Sequence, residues 1–367
     1  MKLSINRDAL LEPLQKVLGA IEKRQTMPAL AHVLMECSSD GIVLTATDLE
    51  ITLVARLKHP VDEPGSIALP ARKLFDICKA LPENVQIKIT TDGNKASLKA
   101  GRSRFSLACL PAAEFPKMED VSRGQQFELS QSVFKKLFER TAFAMANQDV
   151  RYYLNGLMLE VGKDLIQAVA TDGHRLSLYS ANASTGSDSK LQAIVPRKGV
   201  MELQRLLADD EDSNAQVQLS ANHIRIETDS LQFTSKLIDG KFPDYERVLP
   251  SGSDKQLVAN RDALRQALTR ASILSNEKYR GIRLFIDKNI LKIQAHNSEQ
   301  EEAEDELEVS YDHDPIEIGF NVQYLLDVLS VINGDTVEIK LKDGNSSILL
   351  NDPEDQQARY VIMPMRL

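Results

Sequence analysis

The chain has few cysteines and lacks the patterns of secreted and membrane proteins. Its three cysteines, Cys37, Cys78 and Cys109, are odd in number and widely spaced, which predicts buried reduced thiols rather than disulfides. No apolar run approaches the roughly 18 residues that span a bilayer. The first residues lead directly into a strand-and-helix pattern without a signal-peptide core. We therefore expect a cytoplasmic protein without membrane segments.

Several motifs for chemistry are also absent from the sequence. It contains no glycine-rich phosphate loop of either common spacing, no Cys or His cluster for a metal, and no nucleophile elbow. The acidic run 209–212 could suggest a cation site, but it follows a helix and has no convergent partner, so a solvated loop is favoured. No catalytic residue, metal or cofactor is predicted.

The main positive feature is an internal repeat. The pentapeptide Asn-Arg-Asp-Ala-Leu at 6–10 returns at 260–264, and midway between them a similar strand end and helix begin at Glu128. Within each third the order restarts, because Lys73 and Lys198 open further helices 125 residues apart. The fold class predicted is α+β, with three tandem copies of a two-fold repeated β-α-β-β-β unit. The domains predicted are 1–124, 125–251 and 252–367.

Charge is divided unevenly between the helices and the rest of the chain. The net charge is -9, yet six predicted helix windows together carry +8, which leaves -17 elsewhere; the windows are 7–24, 71–81, 131–141, 196–207, 261–271 and 320–332. Helices that line the inside of an arc or ring, with sheets outside, form a basic surface suited to a polyanion. Twelve helices from two chains would leave a hole of about 25 Å, wide enough for a duplex. The alternative is that Lys and Arg simply occupy solvated helix faces.

Several longer strings resemble one family. They are RYYLNG at 151–156, ATDGHRL at 170–176, FTSKLIDGKFPDY at 233–245, ILSNEKYRG at 273–281 and the terminal VIMPMRL. They resemble the bacterial replicative sliding clamp, the beta subunit of DNA polymerase III, and the resemblance runs from Met1 to Leu367. It implies the DNA clamp fold and a ring-shaped homodimer that encircles double-stranded DNA without reading its sequence. It also implies a non-catalytic processivity subunit of the polymerase.

The resemblance implies a set of DNA contacts at the inner rim and on the second helices of two domains. These residues are Lys23, Arg24, Arg72, Lys73, Gln148, Arg151, Tyr152, Tyr153, Arg197 and Lys198. Tyrosines can meet exposed bases or backbone there, although paired aromatics are more often core residues. Cations at a helix N-terminus oppose the helix macrodipole, so another demand, such as phosphate binding, is expected to keep four of them there.

The resemblance also implies a pocket between the second and third domains for short peptides of the polymerase III catalytic subunit, the clamp loader and repair proteins. Its residues are Leu154, Thr171, Gly173, His174, Arg175, Leu176, Pro243, Arg247, Val248, Asn321, Tyr324, Ser347, Val361, Met363, Pro364, Met365 and Arg366. Apolar side chains and flexible Met suit a groove for varied anchors. Core packing is the alternative for Leu154 and Val361. Asp172 and His174 could be an acid–base pair, but the matching turns lack the histidine, which favours a tight turn.

The acidic run 297–310 occupies the place of a strand in the other repeats. Glu302, Glu304, Glu306 and Glu308 would share one face, and a solvated face is the usual alternative. The matching sheet of the first domain ends in a basic segment, so third and first domains of two chains could pair by charge. The interface that the resemblance implies contains Lys73, Arg102, Arg104, Phe105, Leu107, Ile273, Leu274, Glu299, Glu301 and Glu302.

Two other functions compete with the clamp. A nuclease or polymerase needs clustered carboxylates for metal ions, and the sequence has none. A peptide-binding scaffold without a DNA role would tolerate charge reversal at Arg24, Arg197 and Lys198. A protein that slides needs only loose, sequence-independent contacts with its duplex.

Overall fold

The computed structural model describes residues 1–21, 27–117, 121, 124–187 and 190–366. The proposed DNA contacts at Lys23 and Arg24 lie outside the described residues. Among the described residues, no helix combines the length and apolarity that a membrane crossing requires. The α-helices described are α1 (Arg7–Val17), α2 (Ala71–Ala80), α3 (Gln131–Glu139), α4 (Arg197–Leu206), α5 (Arg261–Ser272) and α6 (Val322–Val331).

Strands occupy most of the remaining chain. Up to α4 they are β1 (Lys2–Asn6), β2 (His32–Ser38), β3 (Gly41–Thr47), β4 (Ile51–Leu57), β5 (Gly65–Pro70), β6 (Gln86–Asp92), β7 (Lys95–Ala100), β8 (Ser103–Ala108), β9 (Leu110–Pro111), β10 (Gln125–Ser130), β11 (Gly156–Val161), β12 (Leu165–Thr171), β13 (Arg175–Asn182) and β14 (Leu191–Pro196). After α4 they are β15 (Asn214–Leu219), β16 (His223–Glu227), β17 (Leu231–Lys236), β18 (Lys255–Asn260), β19 (Gly281–Asp287), β20 (Ile290–His296), β21 (Glu302–Glu308), β22 (Ile316–Asn321), β23 (Thr336–Leu341), β24 (Ile348–Asp352) and β25 (Asp355–Ile362).

The predicted β-α-β-β-β unit is confirmed six times. Each helix follows one strand and precedes three, from β1-α1-β2-β3-β4 to β22-α6-β23-β24-β25, with the two-residue β9 as an addition. The predicted pairing of helices is visible where α1 packs on α2 and α5 packs on α6. The α+β class follows directly from this alternation.

The described residues form two compact units. Unit 1 contains Met1–Ser132 and Met201–Leu237, and unit 2 contains Val133–Val200 and Ile238–Leu367. Unit 1 has a sheet of order β1-β6-β7-β8 and a nine-stranded sheet β10-β15-β16-β17-β4-β3-β2-β5-β9. Unit 2 has an eight-stranded sheet β14-β11-β12-β13-β25-β24-β23-β18 and a four-stranded sheet β21-β20-β19-β22. The nine-stranded sheet joins strands of the first and second predicted domains, and the eight-stranded sheet joins strands of the second and third. The predicted domain boundaries therefore stay a prediction.

The repeated pentapeptide has a structural explanation at the starts of α1 and α5. The Asn6 carboxamide oxygen accepts the backbone N–H of Asp8 at 2.9 Å, and that of Asn260 accepts the N–H of Ala263 at 2.9 Å. Both asparagines therefore cap helix N-termini. The arginine that follows each asparagine reaches the end of the neighbouring helix.

Arg7 and Arg261 bind backbone carbonyls at the C-terminal ends of their neighbouring helices. Arg7 donates from Nε to the Cys78 carbonyl at 2.8 Å and from Nη2 to the Lys79 carbonyl at 3.1 Å, in the last turn of α2. Arg261 donates from Nη1 to the Ile332 carbonyl at 2.9 Å, just after α6. Cations at these positions bind carbonyls that have no partner within the helix, and they are attracted by the negative end of the helix dipole.

We expect Arg7→Ala to lower the free energy of unfolding by about 2 kcal/mol, because two charge-assisted hydrogen bonds to carbonyls at the end of α2 are lost. Urea denaturation followed by circular dichroism measures the change. Arg359→Ala removes an exposed arginine of β25 and serves as the control, with an expected change within about 0.5 kcal/mol. Equal stability of the two variants would contradict the capping role of Arg7.

The three cysteines are buried and unpaired with each other, as the sequence predicts. Burial raises the pKa of the Cys37 thiol to about 11 and that of the Cys78 thiol to about 12. Both side chains are therefore neutral and unreactive near neutral pH.

Candidate functional site

The turn between β12 and β13, residues 171–175, is built by two side chains. The Thr171 hydroxyl donates to the Arg175 carbonyl at 2.6 Å and accepts the Gly173 N–H at 3.1 Å. The Asp172 carboxylate accepts the N–H groups of His174 and Arg175 at 2.9 and 3.0 Å. Gly173 has φ +89°, in the left-handed region that glycine adopts without strain. This tight turn supports the turn reading of ATDGHRL over an acid–base pair.

The corresponding turn of the first repeat, residues 47–51 in unit 1, has the same hydrogen bonds. The Thr47 hydroxyl donates to the Ile51 carbonyl at 2.8 Å, and the Asp48 carboxylate accepts the N–H groups of Glu50 and Ile51 at 2.9 and 2.7 Å. Leu49 stands at the place of Gly173 and has φ +75°. The backbone frame is thus common to both repeats, and only the side chains at three positions differ.

In unit 2, the Arg175 guanidinium is fixed on several sides. It pairs with Asp172 at 3.1 Å through Nε and with Asp327 of α6 through Nη1, and Nη2 donates to the Phe143 carbonyl at 2.8 Å. It also lies over the rings of Tyr324 and Phe143, 4.5 and 5.3 Å from their centroids. Such stacking adds a cation–π attraction to the ion pairs. A well-fixed guanidinium forms one wall of the site.

His174 and the C-terminal segment complete this wall. The His174 ring stacks on Tyr324 with a centroid separation of 6.4 Å, and its carbonyl accepts the Met363 N–H at 2.9 Å. The Met365 N–H donates to the Gly319 carbonyl at 2.8 Å, so the terminal segment is held along β22. Burial raises the pKa of the Tyr324 hydroxyl, which therefore stays protonated at neutral pH.

An apolar floor lies beside these groups. Leu154, Leu176 and Val361 are buried in one cluster, against which Val248 packs. The other members and neighbours of this cluster are Ala146, Met158, Val169, Leu178, Ile194, Phe242, Tyr245, Tyr153, Ile238, Leu249 and Leu349. Leu154 and Val361 are therefore core residues as well as candidates for the floor of a pocket. Apolar surface next to a few fixed polar groups is typical of a peptide-binding groove.

The structure also describes four other residues of the predicted pocket. Asn321 caps α6, because its side chain accepts the Gln323 N–H at 2.9 Å. Pro243 is exposed and Ser347 is half-buried. The Arg247 side chain is 85% exposed and pairs with Asp244 at 2.8 Å.

The end of the chain also borders a cavity of about 440 Å³ within unit 2. Met365 and Arg366 line it together with Asn276, Tyr279, Gly281, His296, Asn297 and Ser298. Pro364 is half-buried between the two methionines. The structure thus gathers His174, Arg175, Tyr324 and the Met363 backbone, and it places Met365 and Arg366 on the side of this cavity.

The loop 147–153 in unit 2 carries four of the predicted DNA contacts. Gln148 is exposed with φ +57°, and Tyr152 is 59% exposed while Tyr153 is half-buried. The two tyrosine rings meet edge to face at 5.8 Å. Arg151 pairs with Asp149 at 2.8 Å and holds the pKa of that carboxyl at about 2, well below its usual range. The pair is therefore charged at neutral pH.

The four predicted cations at helix starts lie where the sequence places them. Arg72 and Lys73 are exposed near the start of α2, and Arg197 and Lys198 are half-buried at the start of α4. Arg72 also donates to the Ile21 carbonyl at 3.4 Å, and Arg197 to the Met145 carbonyl at 3.2 Å.

Apart from Lys73 of α2, the residues of the predicted chain–chain interface lie at two edge strands of the described sheets, β8 and β21, and in the segment after α5. In unit 1, Arg102 and Arg104 are exposed at β8, Phe105 is half-buried and Leu107 is buried, so Leu107 belongs to the core of its own unit. In unit 2, Ile273 is 75% exposed after α5 and Leu274 is half-buried. Burial alternates along β21, so one face of the strand is exposed, as the sequence predicts. The exposed acidic side chains of this face and of the preceding turn are Glu299, Glu301, Glu302, Glu304, Glu306 and Glu308.

Sequence reasoning did not identify the groups that fix Arg175. Asp327 is 152 positions away, and Phe143 contributes a carbonyl and a ring. One signal was available, because Asp327 is the single charged residue of α6 and lies three positions after Tyr324. Tyr245, which lies in a largely polar segment of the sequence, is also buried in the apolar cluster.

Among the described ranges, no group of three or more His, Cys, Asp or Glu residues could hold a metal ion.

Models of one family match nearly the whole chain. They are "DNA polymerase III beta subunit, N-terminal domain" at residues 1–119, the central domain at 128–244 and the C-terminal domain at 246–366.

Individual relatives agree with these matches. The beta sliding clamp of Pseudomonas putida is 54% identical and that of Escherichia coli strain K12 is 49% identical, each with 100% of both chains covered. A crystal structure of the sliding clamp from Pseudomonas aeruginosa bound to griselimycin superimposes on this chain with a TM-score of 0.96. The two sequences are 52% identical, with 100% of both chains covered. These similarities define a sliding clamp, a non-catalytic processivity factor. The chain belongs to the DNA polymerase III beta subunit family.

Proposed function

We propose that two copies of this chain close into a ring around duplex DNA and tether the replicative polymerase for processive synthesis. The observation that carries the proposal is the match of all three family domains, in order, over nearly the whole chain. The ranges of these domains also support a three-domain chain with boundaries near 124 and 251. A cytoplasmic location fits a partner of the chromosome.

Sequence-independent binding of double-stranded DNA is the second part of the proposal. The helix windows carry +8 within a chain of net charge -9. Concentrated positive charge attracts phosphates without reading bases. The proposed contacts in the described ranges are Arg72, Lys73, Gln148, Arg151, Tyr152, Tyr153, Arg197 and Lys198.

The groove at the turn 171–175 is proposed to bind short peptides. The proposed partners that carry these peptides are the polymerase III catalytic subunit, the clamp loader and repair proteins. The fixed Arg175 guanidinium, the His174–Tyr324 stack and the apolar floor suit an extended peptide with apolar anchors. Griselimycin is bound by the clamp of Pseudomonas aeruginosa, and we propose that it occupies this groove here.

The ring is tested by topology. The protein is loaded by a clamp loader onto nicked circular duplex DNA, and the circle is then cut once. A sliding ring is lost from the linear product by running off its ends, whereas it persists on the uncut circle. Persistence on the linear DNA would refute sliding, and hydrolysis or synthesis by the pure protein would favour an enzyme.

The peptide groove is tested with a matched pair of variants. We expect His174→Ala to weaken griselimycin binding by roughly tenfold, because the stack on Tyr324 and one wall of the groove are lost. Glu50→Ala alters the corresponding position of the first repeat and is expected to leave the affinity unchanged. Isothermal titration calorimetry measures both. Equal affinities for the two variants would place the ligand elsewhere.

A peptide-binding scaffold without a DNA role is the competing function. It predicts normal peptide binding together with failure to remain on the uncut circle. The topological test and the griselimycin titration therefore separate the two functions.

A further inference from the structure

Arg151 joins the two proposed binding regions of unit 2. It donates from Nε and Nη2 to the two carboxylate oxygens of Asp149, at 3.0 and 2.8 Å, and its backbone N–H donates to Asp149 at 2.8 Å. Nη2 also donates to the Asp172 carbonyl at 3.1 Å. One guanidinium therefore connects loop 147–153, which carries proposed DNA contacts, to turn 171–175 of the peptide groove.

The packing around Gly173 is consistent with this connection. A Cβ atom at Gly173 would lie 2.9 Å from Nη1 and 3.0 Å from Nη2 of Arg151. The absence of a side chain there lets the guanidinium lie directly against the turn. Asp172 extends the connection, because its carboxylate pairs with Arg175, which in turn contacts Asp327 and Tyr324.

The first repeat provides an internal comparison. The equivalent turn 47–51 forms with the same hydrogen bonds, although Met27 stands at the position of Arg151 and Leu49 at that of Gly173. The repeat offset of 124 residues between Thr47 and Thr171 gives these equivalences. The turn therefore folds without an arginine across it, and a folding requirement does not explain Arg151.

Charge also argues against Arg151 acting chiefly on phosphate. Its guanidinium is already paired with Asp149 in two-point geometry, which is the strongest arrangement for an arginine and a carboxylate. A phosphate would have to compete with that carboxylate. The neighbouring Gln148 and Tyr152 are exposed, and among the described residues no carboxylate is paired with them.

We propose that Arg151 is a positioning residue for the peptide groove, which holds the Gly173–His174 turn against loop 147–153 and so links the groove to that loop. This proposal rests on the peptide-binding function proposed above. By linkage, whatever loosens the loop lowers the affinity of the groove, and a ligand in the groove stabilises the loop.

A double-mutant cycle tests the proposal, with griselimycin as the probe and calorimetry as the measurement. We expect Arg151→Ala and Asp149→Ala each to weaken griselimycin binding about five- to tenfold. The double variant should bind at most about twofold more weakly than either single variant, because each substitution alone already breaks the same ion pair. Arg151→Lys is expected to behave like Arg151→Ala, since an ammonium cannot span the carboxylate and the carbonyl together. Met27→Ala, at the equivalent position of the first repeat, is the control and should bind like the unaltered protein.

Hydrogen exchange gives an independent readout. In Arg151→Ala, faster amide exchange is expected at residues 172–175 and at 148–153, with unchanged exchange at 47–51. Additive losses in the cycle, or unaltered griselimycin affinity in Arg151→Ala, overturn the positioning role. If the unaltered protein itself fails to bind griselimycin, the groove assignment fails instead, and unchanged exchange at 172–175 in Arg151→Ala then refutes the connection separately.

Discussion

A chain with Glu301→Lys and Glu302→Lys is expected to be a monomer at concentrations where the unaltered protein is expected to form the proposed dimer. The substitutions place lysines on the acidic edge at β21, which is proposed to meet the exposed arginines Arg102 and Arg104 at β8 of a second chain. Like charges across such an interface cost several kcal/mol, so the dissociation constant should rise at least ~100-fold. Sedimentation equilibrium over a range of concentrations measures it.

The same interface allows a complementary experiment. Arg102→Glu with Arg104→Glu should also give a monomer, because acidic edges then face acidic edges. A mixture of the two variant chains should form a heterodimer, since each interface again joins one acidic and one basic edge. Monomers in the mixture, or a dimer of either variant alone, would contradict the proposed pairing of β8 with β21.

Removal of four helix cations is expected to reduce the salt dependence of DNA binding. In a chain with Arg72→Ala, Lys73→Ala, Arg197→Ala and Lys198→Ala, the slope of log affinity against log salt should fall by about 3 to 4, close to 0.9 for each lost phosphate contact. Fluorescence anisotropy of a primed duplex across a range of salt concentrations measures this slope. The affinity should fall uniformly for duplexes of different sequence, because phosphates rather than bases are contacted.

A second chain with the same change in net charge is the control for this experiment. Lys95, Lys99, Lys163 and Lys241 are exposed and lie outside the helices. Their replacement by Ala should leave the slope nearly unchanged. Equal slopes in the two variants would mean that DNA responds to net charge alone and that the helix starts are not its contacts.

Helix positions and strand order follow from the sequence because their signals are local. The asparagines of the repeated pentapeptide lie at the N-caps of α1 and α5, and alternating residues give β21 one exposed acidic face. Side-chain capping and two-residue periodicity act over a few positions, so they can be read without the fold.

The joining of thirds into common sheets does not follow from the sequence. β4 pairs with β17, and β13 pairs with β25, across more than a hundred residues in each case. Edge strands have similar alternating patterns, and nothing local specifies which distant edge completes a sheet.

The helix charge illustrates a further limit of sequence reading. Arg7 and Arg261 contribute to the basic helix windows, yet both bind carbonyls at the ends of neighbouring helices. Arg205 likewise donates to the carbonyls of Gln15 and Lys16, at 3.2 and 2.7 Å. Part of the positive charge therefore stabilises the fold, and a count of residues cannot separate that part from the charge available to DNA.

The candidate site depends on similarly distant contacts. Arg175 and Tyr324 are near in the fold because α6 follows β22 beside the turn, and the acidic partner of Arg175 lies on the same helix. The sequence identifies these residue types only through family resemblance. It does not give their mutual geometry, which arises from the pairing of β13 with β25.

The two equivalent turns separate the task of folding from that of recognition. Thr and Asp hold the backbone in both copies, so the next two side chains, Gly-His in one and Leu-Glu in the other, are not needed to hold it. Duplication therefore gives the chain a second turn with the same backbone, on which a new binding specificity can arise with little loss of stability. Redesign of residues 49 and 50, which are exposed, is accordingly the natural starting point for giving this molecule a second, independent binding site.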